Sequence, residues 1–216
     1  MNILLTGFEP FGGEAINPSW EVARALDGEL LGQGRVHARR LPTSFAQAPQ
    51  ALRAALAELR PGLVIALGQA TGRAEVSIER VAINLIDARI ADNLGQRPLE
   101  QPVREDGPAA FFSTLPVQAM RDGLRAAGHP AGLSLTAGAF VCNQVFYELQ
   151  HALQGQAVRS GFIHLPALPQ QAAAQPSSPP SMALSGQIAA LRLAVVLAQS
   201  GDSASPAGSS EGSPIA

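Results

Sequence analysis

Two short apolar runs, Asn2-Ile3-Leu4-Leu5-Thr6 and Leu63-Val64-Ile65-Ala66-Leu67, each stop at a glycine, and this constrains the fold more than any other feature of the chain. Runs this short, apolar at almost every position, suit strands buried on both faces, as in a parallel sheet. After the first run come a glycine-rich loop and Asn17-Pro18-Ser19, a capping residue followed by proline at the first helical position. Trp20, Val22, Ala23 and Leu26 then recur at helical spacing. Residues 35–41 alternate weakly as a strand, Pro42-Thr43-Ser44 breaks it, and residues 45–59 read as an Ala/Leu-rich helix ending before Arg60-Pro61-Gly62. Strand, loop, helix and strand in succession is the rhythm of an α/β fold on a parallel sheet.

Further on, residues 75–85 are β-rich, and residues 87–108 form a long polar stretch of the kind that often carries function. Residues 116–127 read as a helix, 133–136 as a strand, 143–153 as a helix and 161–163 as a strand. Residues 166–180 should be irregular, and 184–199 should be an apolar helix packed on the sheet. One α/β domain is expected over residues 1–200. Residues 201–216, rich in Gly, Ser and Pro, are expected to be a disordered tail.

Composition removes several classes of function. A net charge of -2 with no basic run gives little attraction to nucleic acid or anionic lipid, and no apolar stretch has the length of a membrane span. The short N-terminal run reads as a strand rather than a signal peptide, so a cytoplasmic chain is expected. A single cysteine excludes an intrachain disulfide and a thiol cluster for zinc or iron–sulfur. All fifteen Lys+Arg residues are arginine, which removes Schiff-base lysines and the P-loop lysine. Gly7-Phe8-Glu9-Pro10-Phe11-Gly12-Gly13 follows the first strand but lacks dinucleotide-loop spacing, and its phenylalanines fit an apolar pocket wall better.

Cys142, in Thr136-Ala137-Gly138-Ala139-Phe140-Val141-Cys142-Asn143, falls where a strand ends and a helix begins. Unpaired N–H groups and the positive end of the helix dipole there favour thiolate and can hold an oxyanion. From position alone, a lone cysteine reads first as a small buried hydrophobe. His164 follows the strand 161–163, at a carboxyl end where open α/β sheets gather active residues, although a structural histidine fits the same place. His37, His129 and His151 occupy a strand, a turn and a late helical position. For a group to orient the imidazole, Glu75, Glu79, Asp87, Asp92 and Asp106 all remain open at this stage.

Four segments together resemble the cysteine-type pyroglutamyl peptidases, also called pyrrolidone-carboxylate peptidases. They are Gly7-Phe8-Glu9-Pro10-Phe11-Gly12-Gly13 with Asn17-Pro18-Ser19; Gly68-Gln69-Ala70 with Gly72-Arg73 and Glu79-Arg80-Val81-Ala82-Ile83-Asn84; Phe140-Val141-Cys142-Asn143; and Gly161-Phe162-Ile163-His164-Leu165-Pro166. The likeness runs from residue 2 to about residue 198, in the family's order. It implies a single-domain three-layer α/β/α sandwich with a mixed, largely parallel twisted sheet flanked by helices. It also implies a Glu79, Cys142, His164 triad that hydrolyses N-terminal pyroglutamate from peptides through an acyl-enzyme. By the same resemblance Phe8, Phe11, Thr43, Ile90, Phe140 and Val141 form the lactam pocket, and Arg89 contributes to the electrostatics of the acyl site. No metal or organic cofactor is implied, nor a nucleic-acid or membrane partner; a homotetramer is. Ala139 departs from the family's pattern, which places a hydroxyl residue there. The rival readings are a phosphorylase-like or amidase enzyme on a similar scaffold, and a pyroglutamyl-peptide binding protein without turnover.

Overall fold

The computed structural model describes residues 1–200. The expectation of a disordered segment at 201–216 lies outside them. In chain order the elements are β1 (Asn2–Phe8), α1 (Pro18–Ala25), β2 (Leu30–Leu31), β3 (Gly34–Leu41), α2 (Ala48–Leu59), β4 (Leu63–Gln69), β5 (Val76–Glu79), β6 (Val81–Ile83), β7 (Ala110–Phe112), α3 (Val117–Ala126), β8 (Ala131–Ser134), α4 (Val141–Ala152), β9 (Arg159–Leu165), α5 (Pro169–Ala173) and α6 (Leu184–Gln199). Among these helices none is long and apolar enough to cross a membrane.

The main sheet runs β2-β3-β1-β4-β9-β5-β8, and β6 with β7 makes a separate pair. β3, β1, β4 and β9 are mutually parallel. β5 turns the other way against β9 and takes β8 with it. The sheet is therefore mixed, with one antiparallel junction beside the central strands and another at the edge, where the short β2 pairs with β3.

Strand alternation splits the core into two layers. Ile3, Leu5, Leu63, Ile65, Leu67, Ile78, Ile163 and Leu165 face α1, α3 and α6, packing on Val22, Leu26, Met120, Leu124 and Leu191. Leu4, Val64, Ala66 and Phe162 face the opposite way, onto α2 and α4 through Leu52, Val145, Phe146 and Leu149. The same period sends Glu79 and His164 to the α4 side, since each is two residues from a neighbour on its strand that points that way or next to one that does not.

Several expected boundaries move, each for a local reason. α2 begins at Ala48, because residues 45–47 form a turn that precedes Pro49 near the helix start. The strand expected at 133–136 is Ala131–Ser134. There the Ser134 hydroxyl accepts from Thr136 N–H, turning the chain and leaving Leu135 exposed. α4 begins two residues earlier than expected, which puts Cys142 inside its first turn. β9 extends through Leu165, so His164 lies within the strand and not after it. The segment 166–180 is not wholly irregular, since it holds α5.

At the end of β1 the chain docks directly on α1. Asn17 caps the helix by accepting from Ser19 N–H at 3.1 Å, and the Ser19 hydroxyl accepts from Phe8 N–H at 2.9 Å. A Cβ on Gly7 would collide with the Ser19 carbonyl and the Trp20 nitrogen, both backbone atoms that cannot swing away. Gly7→Ala is therefore expected to destabilise the fold by roughly 1–3 kcal/mol, the cost of overpacking a filled site. Urea unfolding checks this, and an unchanged midpoint would mean that α1 does not approach β1 this closely.

Candidate active site

The register across β4, β9 and β5 assembles one end of the site. Gly68 pairs with His164 across the parallel β4–β9 ladder. On the other side of β9, Ser77 stands opposite His164 and Glu79 opposite Phe162, so Glu79 is the diagonal neighbour of His164 on the same face. His164 Nδ1 lies 2.8 Å from Glu79 Oε1, both residues buried. An ionised carboxylate only accepts, so Nδ1 carries the proton and Nε2 presents its lone pair. The imidazole also rests on the Phe162 ring, with centroids 4.8 Å apart.

α4 brings Cys142 to this end. Phe140, extended at the N-cap, leads into the helix. Asn143, the next residue after Cys142, is fully buried and sews the helix to β6: Oδ1 accepts from Ile83 N–H at 3.0 Å, and Nδ2 donates to the Ile83 and Leu85 carbonyls, each at 2.9 Å. A Cβ built on Gly68 would lie 3.0 Å from Cys142 Sγ and 3.0 Å from His164 Cδ2. Thiol and imidazole thus both lie close against the Gly68 backbone, together with the Phe162 ring, in a space that a side chain at position 68 would crowd.

The electrostatics differ from the expectation for a thiol at a helix start. Burial pushes the Cys142 thiol up to about 12, and the Glu79 charge adds to the rise. Arg73 and the Cys142 backbone N–H pull the other way by less. The thiol is therefore protonated at rest, because removal from water and a nearby carboxylate outweigh the helix terminus. Burial likewise holds His164 below its usual 6.5, with Arg73 acting in the same sense against the Glu79 bond. For Glu79 burial works upward, but the His164 bond and charge, with Ser134 and Arg73, outweigh it and hold the carboxyl below its usual 4.5.

Cys142 and His164 open on a cavity of about 570 Å³. Of the residues anticipated for substrate, Phe8, Phe11, Thr43, Arg89, Ile90 and Phe140 line it. Phe140 joins the aromatic wall between Phe11, with centroids at 5.2 Å, and Phe45, at 5.0 Å. Val141 does not line the cavity: its side chain is fully buried in the α2/α4 core layer, because its helical direction points it away from the opening. Glu79 stands behind His164, off the cavity surface.

The other carboxylates have different surroundings. Glu75 pairs loosely with Arg125 at 3.7 Å, and Asp106 is exposed. Asp92 accepts from Phe45, Leu94 and Gln96 N–H groups and so staples the loop that carries Ile90. Asp87 lines the cavity, and its N–H donates to the Ala139 carbonyl at 2.9 Å. His37 bonds Asn2 and His151 packs edge-on to Phe111; neither they nor His129 reach the cavity.

Three residues of the site had no individual role in the sequence reading. Gly68 and Arg73 stood there only within matched segments, and a missing side chain leaves no chemical signal in a sequence. Glu9, lying between the two phenylalanines, clamps the walls: Oε1 accepts from Thr43 N–H at 3.0 Å and from Asn93 Nδ2 at 2.8 Å. Among the described residues no group of His, Cys, Asp and Glu is arranged to hold a metal ion.

The sequence model of a family described as pyroglutamyl peptidase matches residues 1–200. A pyrrolidone-carboxylate peptidase of Pseudomonas fluorescens is 56% identical over 197 residues, covering 91% of this chain and 92% of that protein. One of Cupriavidus taiwanensis is 57% identical over 201 residues, covering 92% and 93%. The crystal structure of Bacillus amyloliquefaciens pyroglutamyl peptidase I superposes with a TM-score of 0.88 at 41% identity, covering 91% of this chain and 96% of that one. The pyrrolidone carboxyl peptidase of Thermococcus litoralis gives the same TM-score, 0.88, at 39% identity, covering 92% and 93%. With a matched model over nearly the whole described chain, and close relatives that are coextensive with it, this chain belongs to the pyroglutamyl peptidase family.

Proposed function

We propose that this chain removes N-terminal pyroglutamate from peptides, with Cys142 as nucleophile, His164 as general base and then acid, and Glu79 orienting the imidazole. The observation that carries the reading is one cavity with an aromatic wall at one side and the paired thiol and imidazole at the other.

Because the thiol and the imidazole are both uncharged at rest, proton transfer accompanies attack. Sγ adds to the acyl carbon as Nε2 takes the thiol proton, and the imidazolium that forms is held by the Glu79 carboxylate. Negative charge gathers on the acyl oxygen, which N–H groups in the first turn of α4 are placed to receive. The imidazolium then gives its proton to the departing amine and the C–N bond breaks. A water, deprotonated by His164, adds to the thioester; pyroglutamic acid leaves and the thiol regains its proton. Arg89 stands on the cavity wall as a positive charge near this chemistry.

Pyroglutamate has neither ammonium nor side-chain carboxylate, so Phe11, Phe140 and Ile90 can cover its ring at little desolvation cost. A glutamyl residue would lose water from two charges against those same rings. The Thr43 hydroxyl, which donates to the Glu9 carbonyl at 3.2 Å, retains lone pairs to accept the lactam N–H.

The first test is release of amine from matched pyroglutamyl, prolyl and glutamyl chromogenic amides. Cleavage of the pyroglutamyl amide alone is expected, with no turnover by a folded Cys142→Ala variant and a loss of at least ~100-fold in His164→Ala. Tight retention of the pyroglutamyl amide without release would make the chain a binding protein instead. The second test is pH dependence. His164 must be neutral to act as base and is held below its usual 6.5, so the acid limb of kcat/KM should have its midpoint below pH 6.5. Alkylation of Cys142 by iodoacetamide should rise steadily through the alkaline range, whereas a plateau reached below neutral pH would indicate a preformed thiolate–imidazolium pair. Third, the methyl group of Gly68→Ala would crowd Sγ, the imidazole and the Phe162 ring at once, and the shift it forces should lower kcat by roughly 100-fold, as a misplacement of about 1 Å does. Wild-type turnover in that variant would mean that the space at Gly68 does not set the thiol–imidazole geometry.

A further inference from the structure

From the contacts of a single guanidinium we infer that Arg73 is a positioning residue of the site: it holds the Glu79 carboxylate against His164 and ties that carboxylate to the loop leading into Cys142. The inference rests on the catalytic reading above. Arg73 Nη1 lies 2.6 Å from Glu79 Oε1, the same oxygen that accepts from His164 Nδ1. Its Nη2 donates to the Thr136 carbonyl at 3.1 Å. One planar fork therefore bridges β5 and the β8–α4 loop, and both terminal nitrogens are engaged within the protein. That argues against a role in grasping a substrate carboxylate, although Arg73 is 30% exposed on the cavity wall.

Thr136 is a good place to anchor this loop. Its carbonyl also accepts from the Ser134 hydroxyl at 3.1 Å, and its own hydroxyl accepts from Gly138 N–H at 3.0 Å, where Gly138 adopts φ 79°. The next residues are Ala139, Phe140, Val141 and Cys142, which lead into the first turn of α4. Movement of the Thr136 carbonyl would therefore reach both the N–H groups proposed to receive the oxyanion and the thiol itself. The lactam wall is held separately, by Glu9 to Thr43 and Asn93. Loss of Arg73 should accordingly be felt in turnover more than in substrate affinity.

A second consequence is electrical. Arg73 and His164 share one oxygen of a fully buried carboxylate. Without the guanidinium the carboxylate acts on the imidazole alone, the imidazolium is better stabilised, and His164 holds its proton to higher pH. The groups facing the pair are Glu79 from β5, Cys142 from α4 and Arg73 itself, with Glu14, Asp87 and Arg89 elsewhere around the cavity. All but Arg73 are unchanged in the test variants.

The experiment compares kcat, KM and the acid limb of kcat/KM for pyroglutamyl amide in wild type, Arg73→Lys, Arg73→Gln and Arg73→Ala. Arg73→Ala and Arg73→Gln should lose roughly tenfold or more in kcat, with KM within about twofold and the acid limb moved to higher pH. Arg73→Lys restores the charge but reaches one acceptor only, so it should return the acid limb to its wild-type position without recovering full kcat. A merely structural arginine would lower the melting temperature in all three variants and leave the limb in place, and that result overturns the inference. So would a rise in KM alone, which would make Arg73 a substrate contact. If Arg73→Ala does not fold, the Lys and Gln variants carry the comparison. Wild-type protein without hydrolysis, or a fully active Cys142→Ala variant, would instead locate the failure in the catalytic reading.

Discussion

A carboxylate sealed from water sits where the sheet changes direction, and the rest of the site is arranged around it. Burying an ionised group costs several kcal/mol unless partners replace its hydration. Glu79 finds His164 at 2.8 Å and Arg73 at 2.6 Å, both on one oxygen. The antiparallel pairing of β5 with β9 makes this possible, because it sets Glu79 diagonal to His164 on one face.

From that fixed pair outward, the site is built by loops whose polar groups are satisfied by one another. Asn143 spends its whole side-chain amide on the backbone around Ile83, which pins the first turn of α4 and hence Cys142. Glu9 and Asp92 do the same for the walls that carry Phe8, Phe11, Thr43 and Ile90. The long polar segment before α3 is thus held by specific bonds despite having little regular structure beyond the Ile86–Gln101 bridge. A cavity walled this way keeps its shape without a ligand, so binding a small lactam need not order the walls first.

Much of the fold was legible because burial on both faces leaves a plain mark in the sequence. The glycine-terminated runs became β1 and β4, the Asn17-Pro18 cap opened α1, and α6 spans the residues that its apolar composition marked. Boundaries shifted where side-chain bonds decided them, as at Ser134, or where a loop residue entered the helix, as at Val141. Legibility of the site was uneven. Cys142 and His164 could be singled out by position, but Glu79 was one of several carboxylates, and only resemblance to a family chose it. Val141 was expected on the pocket wall and lies in the core, since helical direction is a property of three dimensions.

By itself the sequence determined the α/β class, the single thiol and the exclusion of lysine chemistry, because composition and periodicity are local facts. Tertiary structure alone decided the direction of β5, the approach of thiol and imidazole to the bare Gly68 backbone, and the sharing of one Glu79 oxygen by His164 and Arg73. It also turned the shift of the Cys142 thiol upward, against the direction that a helix start alone would give. A helix start favours thiolate when considered alone, but the thiol's proton affinity depends on the sum of burial and every nearby charge, and residues distant in sequence supply most of that sum.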